Sequence, residues 1–166
     1  MTQNVTVTVH VKEIEYDEMD KTNIAGSAHE ASGDKSFESV SMMQASDTER
    51  YHICRSISNA YAELKSELSE YLSDTKTETD NKIIETVENQ GELILVFEMP
   101  SNYQTSATEA LGYACHQYIV NKAIGGWYLL TNKAEAADYV AFSTAALEAA
   151  KKAILKRTRP TREEED

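Results

Sequence analysis

The chain has 166 residues, 41% of them apolar, which is enough for one hydrophobic core in one domain of ordinary size. Its 28 acidic residues outnumber 16 basic ones, and the resulting formal charge of -12 excludes a broad duplex-binding face, which must neutralise phosphates, while favouring solubility or a basic protein partner. No stretch approaches the ~18 apolar residues of a membrane span, and the opening residues lack the basic and apolar regions of a secretory leader, so the chain is expected to stay in the cytosol.

Val5, Val7, Val9 and Val11 alternate with Thr6, Thr8, His10 and Lys12, the period-two pattern of a strand with one buried face. Residues 17–45 lose periodicity and collect Asp, Ser, Gly, Lys and Glu, which predicts a long irregular connection with a short strand near 37–40. Ser46-Asp47-Thr48-Glu49 reads as a capping box, and Ile53, Ile57, Ala60, Tyr61, Leu64, Leu68 and Leu72 follow at helical spacing, predicting an amphipathic helix over 47–72. After a polar linker at 73–80, the β-rich runs 82–88 and 92–99 flank Asn89-Gln90-Gly91 and predict a hairpin ended by Pro100.

Ser106-Ala107-Thr108-Glu109 repeats the capping-box signature and opens a predicted helix over 107–130, while Asn132 starts another over 133–157. Gly125-Gly126 lies inside the first of these, where each glycine costs about 1 kcal/mol against alanine. Either the helix breaks there or another backbone packs close. A phosphate-cradling loop is disfavoured because no Gly-rich phosphate motif surrounds the pair. Trp127 is expected to anchor a core or an interface rather than stack on a ligand. Lys151, Lys152, Lys156, Arg157, Arg159 and Arg162 crowd the end of the last helix, where cations oppose the negative pole of the macrodipole, before Glu163-Glu164-Glu165-Asp166 reverses the sign. Truncation after Leu155 is expected to leave the fold intact yet weaken assembly.

The catalytic inventory is thin. Cys54 and Cys115 lack CxxC spacing, and His10, His29, His52 and His116 lack the i, i+4 pairing that puts two ligands on one helical face, so no metal site is expected. Adjacent or i, i+2 residues diverge on a helix, so neither His52 with Cys54 nor Cys115 with His116 makes a nucleophile-base pair. A Cys-His pair formed across helices stays open.

The run from Tyr118 through Gly125, Gly126 and Trp127 to Tyr139, with Leu147, Ile154 and the charged tail Arg157 to Arg162, resembles head-tail connector (adaptor, neck) proteins of tailed phages and of Bacteroides-type prophages. The likeness spans about residues 105–162. It implies a non-enzymatic structural subunit without cofactor. Copies of such a subunit form a ring between portal and tail through a heterologous, cyclic interface. The implied partners are other copies of the chain and the portal and tail or stopper proteins, with no sequence-specific nucleic acid binding and no membrane. The implied location is the virion, or the bacterial cytoplasm during assembly. Trp127, Tyr128, Tyr139, Arg157, Arg159 and Arg162 are the candidate subunit-contact residues. The alternative is an acidic decoy that occupies a basic or nucleic-acid-binding partner. Such a decoy needs carboxylates gathered on one face, and Lys65, Lys82, Lys122 and Lys133 interrupt them.

The expected fold is mainly α, of the α+β kind: an antiparallel bundle of three long helices with a small β-sheet or hairpin. A single globular domain over 1–158, with 17–45 as a long loop, would carry a charged, flexible tail at 159–166.

Overall fold

Strand β1 (Thr2–His10) buries Val5, Val7 and Val9 and exposes the residues between them, as its alternation predicts. The computed structural model describes residues 1–31, 50–76 and 81–159. In chain order β1 is followed by α1 (Val11–Ala31), α2 (Arg50–Glu67), the short α3 (Ile83–Glu88), β2 (Glu92–Pro100), α4 (Thr108–Thr131) and α5 (Lys133–Ile154), with 3-10 turns at Ser69–Tyr71 and Thr105–Ala107. The chain is therefore mainly helical with a small two-stranded sheet. Among the described residues there are four long helices, of 21, 18, 24 and 22 residues, in place of the expected bundle of three.

Two corrections account for that difference. The first is that residues 17–31, expected as loop, belong to α1. Their period was hidden because the buried stripe at Val11, Ile14, Glu18 and Thr22 is half polar, so an apolar pattern never develops after Ile14. The remainder of the expected loop, the strand near 37–40 and the capping box at Ser46 lie outside the described residues. The second is that there is no hairpin between 82–88 and 92–99. Residues 83–88 form α3, and β2 pairs antiparallel with β1 instead, with Val5 opposite Phe97, Val7 opposite Leu95 and Val9 opposite Leu93. The Ile-Ile-Glu-Thr-Val run suggests a strand by composition alone, yet only Val87 is buried, and the i→i+4 bonds Thr86 N–H to Lys82 O and Asn89 N–H to Glu85 O close the helix.

A Schellman turn ends α3: Gly91 N–H donates to Thr86 O and Gln90 N–H to Val87 O, with Gln90 in the left-handed region at φ 54°. Gly91 follows because a Cβ there would sit 3.1 Å from Thr86 Cγ2 and 3.2 Å from its carbonyl oxygen. That turn aims β2 back along β1, and Gly91 O also receives the N–H of Val11 at 3.1 Å, joining the start of α1 to the same corner.

The helix α2 begins at Arg50 and stops at Glu67, earlier than the expected 72, and Leu72 then bridges to Phe97 on the free side of β2. Helix α4 is central, packing on β1, α1, α2 and α5. Its buried set runs from Leu111 through Cys115, Ile119 and Ile124 to Tyr128, and each such side chain contributes about 1.5–3 kcal/mol on leaving water. The cap expected at Ser106 does not form. Thr105–Ala107 is a 3-10 turn, Ala107 takes the N-cap position, and Ser106 instead accepts from Gln104 Nε2 at 2.8 Å. At the next turn Asn132 does cap α5, accepting from Ala134 N–H at 3.2 Å.

Gly125 and Gly126 lie inside an uninterrupted α4. Gly125 packs on α5, where an added Cβ would meet Val140 Cγ2 at 3.5 Å and Tyr139 Cβ at 3.7 Å. Close approach of a second helix, rather than a break, accounts for it. The carboxy-terminal segment returns to the stretch that follows β2: Gln104 N–H donates to Lys156 O, Thr158 N–H to Asn102 O, and Tyr103 bridges to Arg157. The last helix ends at Ile154 rather than 157, and residues 156–158 strap the fully buried Tyr103.

Candidate functional site

Three features of the described residues carry chemistry or surface beyond simple packing: a polar groove beside α1, a buried acidic cluster under it, and the apolar face of the α4–α5 hairpin.

The groove has a volume of about 300 Å³ and is walled by Thr8, His10, Glu13 and Asp17 on one side and Tyr113 and His116 on the other. It exists because β1 runs directly into α1 while α4 crosses the same edge, close enough for a Cβ on Gly112 to touch Val7 at 3.6 Å. His116 Nε2 lies 2.8 Å from Asp17 Oδ2, a contact between α4 and α1 over 99 residues of sequence. One turn on, Lys21 Nζ reaches Gln117 Oε1 at 3.2 Å and Asn121 Oδ1 at 3.4 Å, and burial lowers the pKa of its ammonium against the opposing pull of Asp17. An imidazole-carboxylate pair of this kind can hold and pass a proton. A nucleophile for it is not supplied by the cysteines. Cys115, adjacent in sequence to His116, is fully buried with its thiol pushed up to about 12 by desolvation, and Cys54 is bonded elsewhere. Neither cysteine lines the groove, so Cys54, Cys115 and His116 do not converge there.

The acidic cluster lies on the buried face of α1. Glu15, 5% exposed, receives the Cys54 S–H at 3.6 Å and Arg50 Nε at 3.6 Å on Oε1, and Gln90 Nε2 on Oε2. Glu18, one turn along, is fully buried, and both of its carboxyl oxygens lack a hydrogen-bond partner. Burial, with Glu15 adding to it, pushes its pKa up to about 8. The same two causes raise the Cys54 thiol. Gln90 holds Glu15 from a backbone conformation that costs a non-glycine residue about 1 kcal/mol, so the cluster rests on a strained support.

The six residues expected at a subunit contact are scattered. Trp127 is 7% exposed and Tyr128 fully buried, so both belong to the core of the chain. Tyr139 is partly buried, meeting Tyr128 edge-on at 5.4 Å on one side and Phe142 at 5.8 Å on the other. Arg157 donates to Ile154 O at 2.8 Å and Lys156 O at 3.0 Å, serving the end of α5. Arg159 is exposed, and Arg162 lies outside the described residues. The apolar surface is carried instead by Leu129, Leu130, Val140 and Phe142, which are 56%, 78%, 41% and 55% exposed. Val140 stands at helical spacing from the buried Ala136 and Ser143 and meets α4 at Gly125, whereas Leu129, Leu130 and Phe142 are more than half exposed.

Among the described residues no group of three His, Cys, Asp or Glu side chains could hold a metal ion, and no helix is long and apolar enough to cross a membrane. Comparison with protein-family models, with curated proteins and with solved structures finds no match to this chain.

Proposed function

We propose that the chain is a non-enzymatic structural subunit that assembles with copies of itself, as in the head-tail connector rings of tailed phages that its carboxy-terminal third resembles. The observation that supports this reading is the apolar face of the α4–α5 hairpin. Leu129 and Leu130 stand at its tip and Phe142 projects farther along it, all more than half exposed on a chain of charge -12. Phe142 is held by Tyr139, which is itself held by the buried Tyr128, so the surface aromatic stands on a column rooted in the core. An aromatic held in this way suits a permanent contact, because little of its side-chain freedom is left to lose on association. The occupant is a second copy offering a different face, as ring closure requires. Portal and tail proteins would be the outer partners, with no cofactor.

The decoy alternative needs carboxylates left unpaired along one face. On α2, Glu63 is bound by Lys122 at 2.8 Å and Glu67 by Lys151 at 3.1 Å, so that face is neutralised from within.

Sequencing about ten open reading frames on either side of the gene tests the connector reading. Neighbours encoding a portal, a large terminase or a major capsid protein are expected; metabolic or regulatory neighbours would sink it.

A further inference from the structure

We propose that α1 is a proton-gated helix: it stays docked against α2 and α4 while the buried Glu18 carboxyl keeps its proton, and its distal part releases when that carboxyl ionises beside Glu15.

Beyond its first turn, α1 is held by little apolar contact among the described residues. Its fully buried hydrophobic side chains, Val11 and Ile14, lie in its first turn, whereas Tyr16 and Ile24 face water at 68% and 62% exposure. Beyond Ile14 the buried side chains among the described residues are Glu15, Glu18 and Thr22, all polar. Among the described residues, the partly buried Ala25 packs against the core and polar contacts run from Asp17 to His116 and from Lys21 to Gln117 and Asn121. Segments with few buried apolar contacts are the ones that open locally at low cost.

Among the described residues nothing balances a charge on Glu18. Arg50, from α2, is committed to Glu15 and to the carbonyl of Glu88 at 3.1 Å. Lys21 is turned to α4, and His116 on α4 is paired with Asp17. The corner before β2 contributes the neutral Gln90, already on Glu15. Cys54 from α2 is the other titratable group in the cluster, and Glu15 and Glu88 both oppose its ionisation. A second carboxylate one turn from Glu15 therefore adds repulsion and desolvation with no compensating contact, and the escape open to it is to carry its helix into water. Because burial raises the docked Glu18 carboxyl from 4.5 to about 8, docking weakens as the pH rises through the neutral range up to about 8.

The test is amide hydrogen exchange from pH 6.5 to 9.5 on the whole chain, corrected for the intrinsic pH dependence of exchange. Protection of the α1 amides between residues 18 and 28 is expected to fall by up to about tenfold per pH unit as the pH rises toward 8, the slope of a single proton, and to level off above it, while α4 and α5 keep theirs. Glu18→Gln is expected to hold α1 protection flat over the range, with Glu18→Met giving the same readout if the amide is poorly accommodated. Cys54→Ala is expected to behave as the parent chain does. Flat protection in the parent chain, a loss shared by every helix, a loss that persists without the Glu18 carboxyl, or one that vanishes in Cys54→Ala would each overturn the proposal.

Discussion

The ring of Tyr139 meets that of Tyr128 edge-on with centroids 5.4 Å apart, and this pair joins α5 to the centre of the core. The hydroxyl of Tyr128 is buried without a hydrogen-bond partner, so the ring contributes packing while its oxygen contributes a penalty. An unsatisfied buried hydroxyl costs about 1–3 kcal/mol. Tyr128→Phe is therefore expected to keep the aromatic contact and raise stability by about 1 kcal/mol, read as a higher midpoint in urea at unchanged m-value. A lower midpoint would show that the hydroxyl has a partner after all.

Beside that pair, Gly125 sits in mid-helix with ordinary contact distance available to a Cβ, 3.5 Å from Val140 Cγ2. Gly125→Ala is expected to stabilise the chain by about 0.5–1 kcal/mol through helix propensity and a less flexible unfolded state. Thermal unfolding checks this. Destabilisation by more than about 1 kcal/mol would mean that the two helices approach more closely than these distances state.

Stability should also fall with rising pH. A carboxyl whose folded-state pKa stands at about 8 against an ordinary 4.5 holds its proton more tightly when folded. Its contribution is fully present below pH 4.5 and is lost as the pH rises to 8, amounting to about 5 kcal/mol at most. Glu18→Gln is expected to match the parent chain near pH 5 and to exceed it at pH 9, by several degrees in the unfolding midpoint. Parallel stability curves for the two proteins from pH 5 to 9 would contradict this.

The strap at 156–158 replaces the expectation of a dispensable end. Cutting after Leu155 removes the bonds from Gln104 to Lys156 and from Thr158 to Asn102, and uncovers the buried Tyr103. A loss of about 2–3 kcal/mol is expected from that cut, against little change when the chain is cut after Arg159. Chemical denaturation of the two shortened chains separates the cases, and equal stability would mean the strap adds nothing to the fold.

What was legible in the residues follows their physics. Val5, Val7 and Val9 announce β1 because one sheet face is wholly apolar, and Asn132 announces the start of α5 because capping is local. Residues 17–31 were not legible as helix because Glu18 and Thr22 occupy the positions where an apolar stripe would have shown the period. Residues 83–88 misled because Ile and Val report a preference for the pleated surface, whereas β2 pairs with β1 across about ninety residues and leaves them as a helix. The Asp17–His116 contact could not be read at all, since nothing local links a carboxylate and an imidazole 99 residues apart. The buried position of Trp127 was one of the two alternatives its type allowed, and only the packing of α4 at the centre decided between them.

The central claim, that the α4–α5 face joins copies of this chain, is tested most directly by sedimentation velocity over a wide concentration range, comparing the parent chain with Leu130→Glu/Phe142→Glu. Both positions are more than half exposed, so the fold should tolerate the change. The expected result is concentration-dependent association of the parent chain that disappears in the variant at unchanged helix content. A parent chain that stays monomeric throughout, or a variant that associates as well as its parent, would contradict the claim.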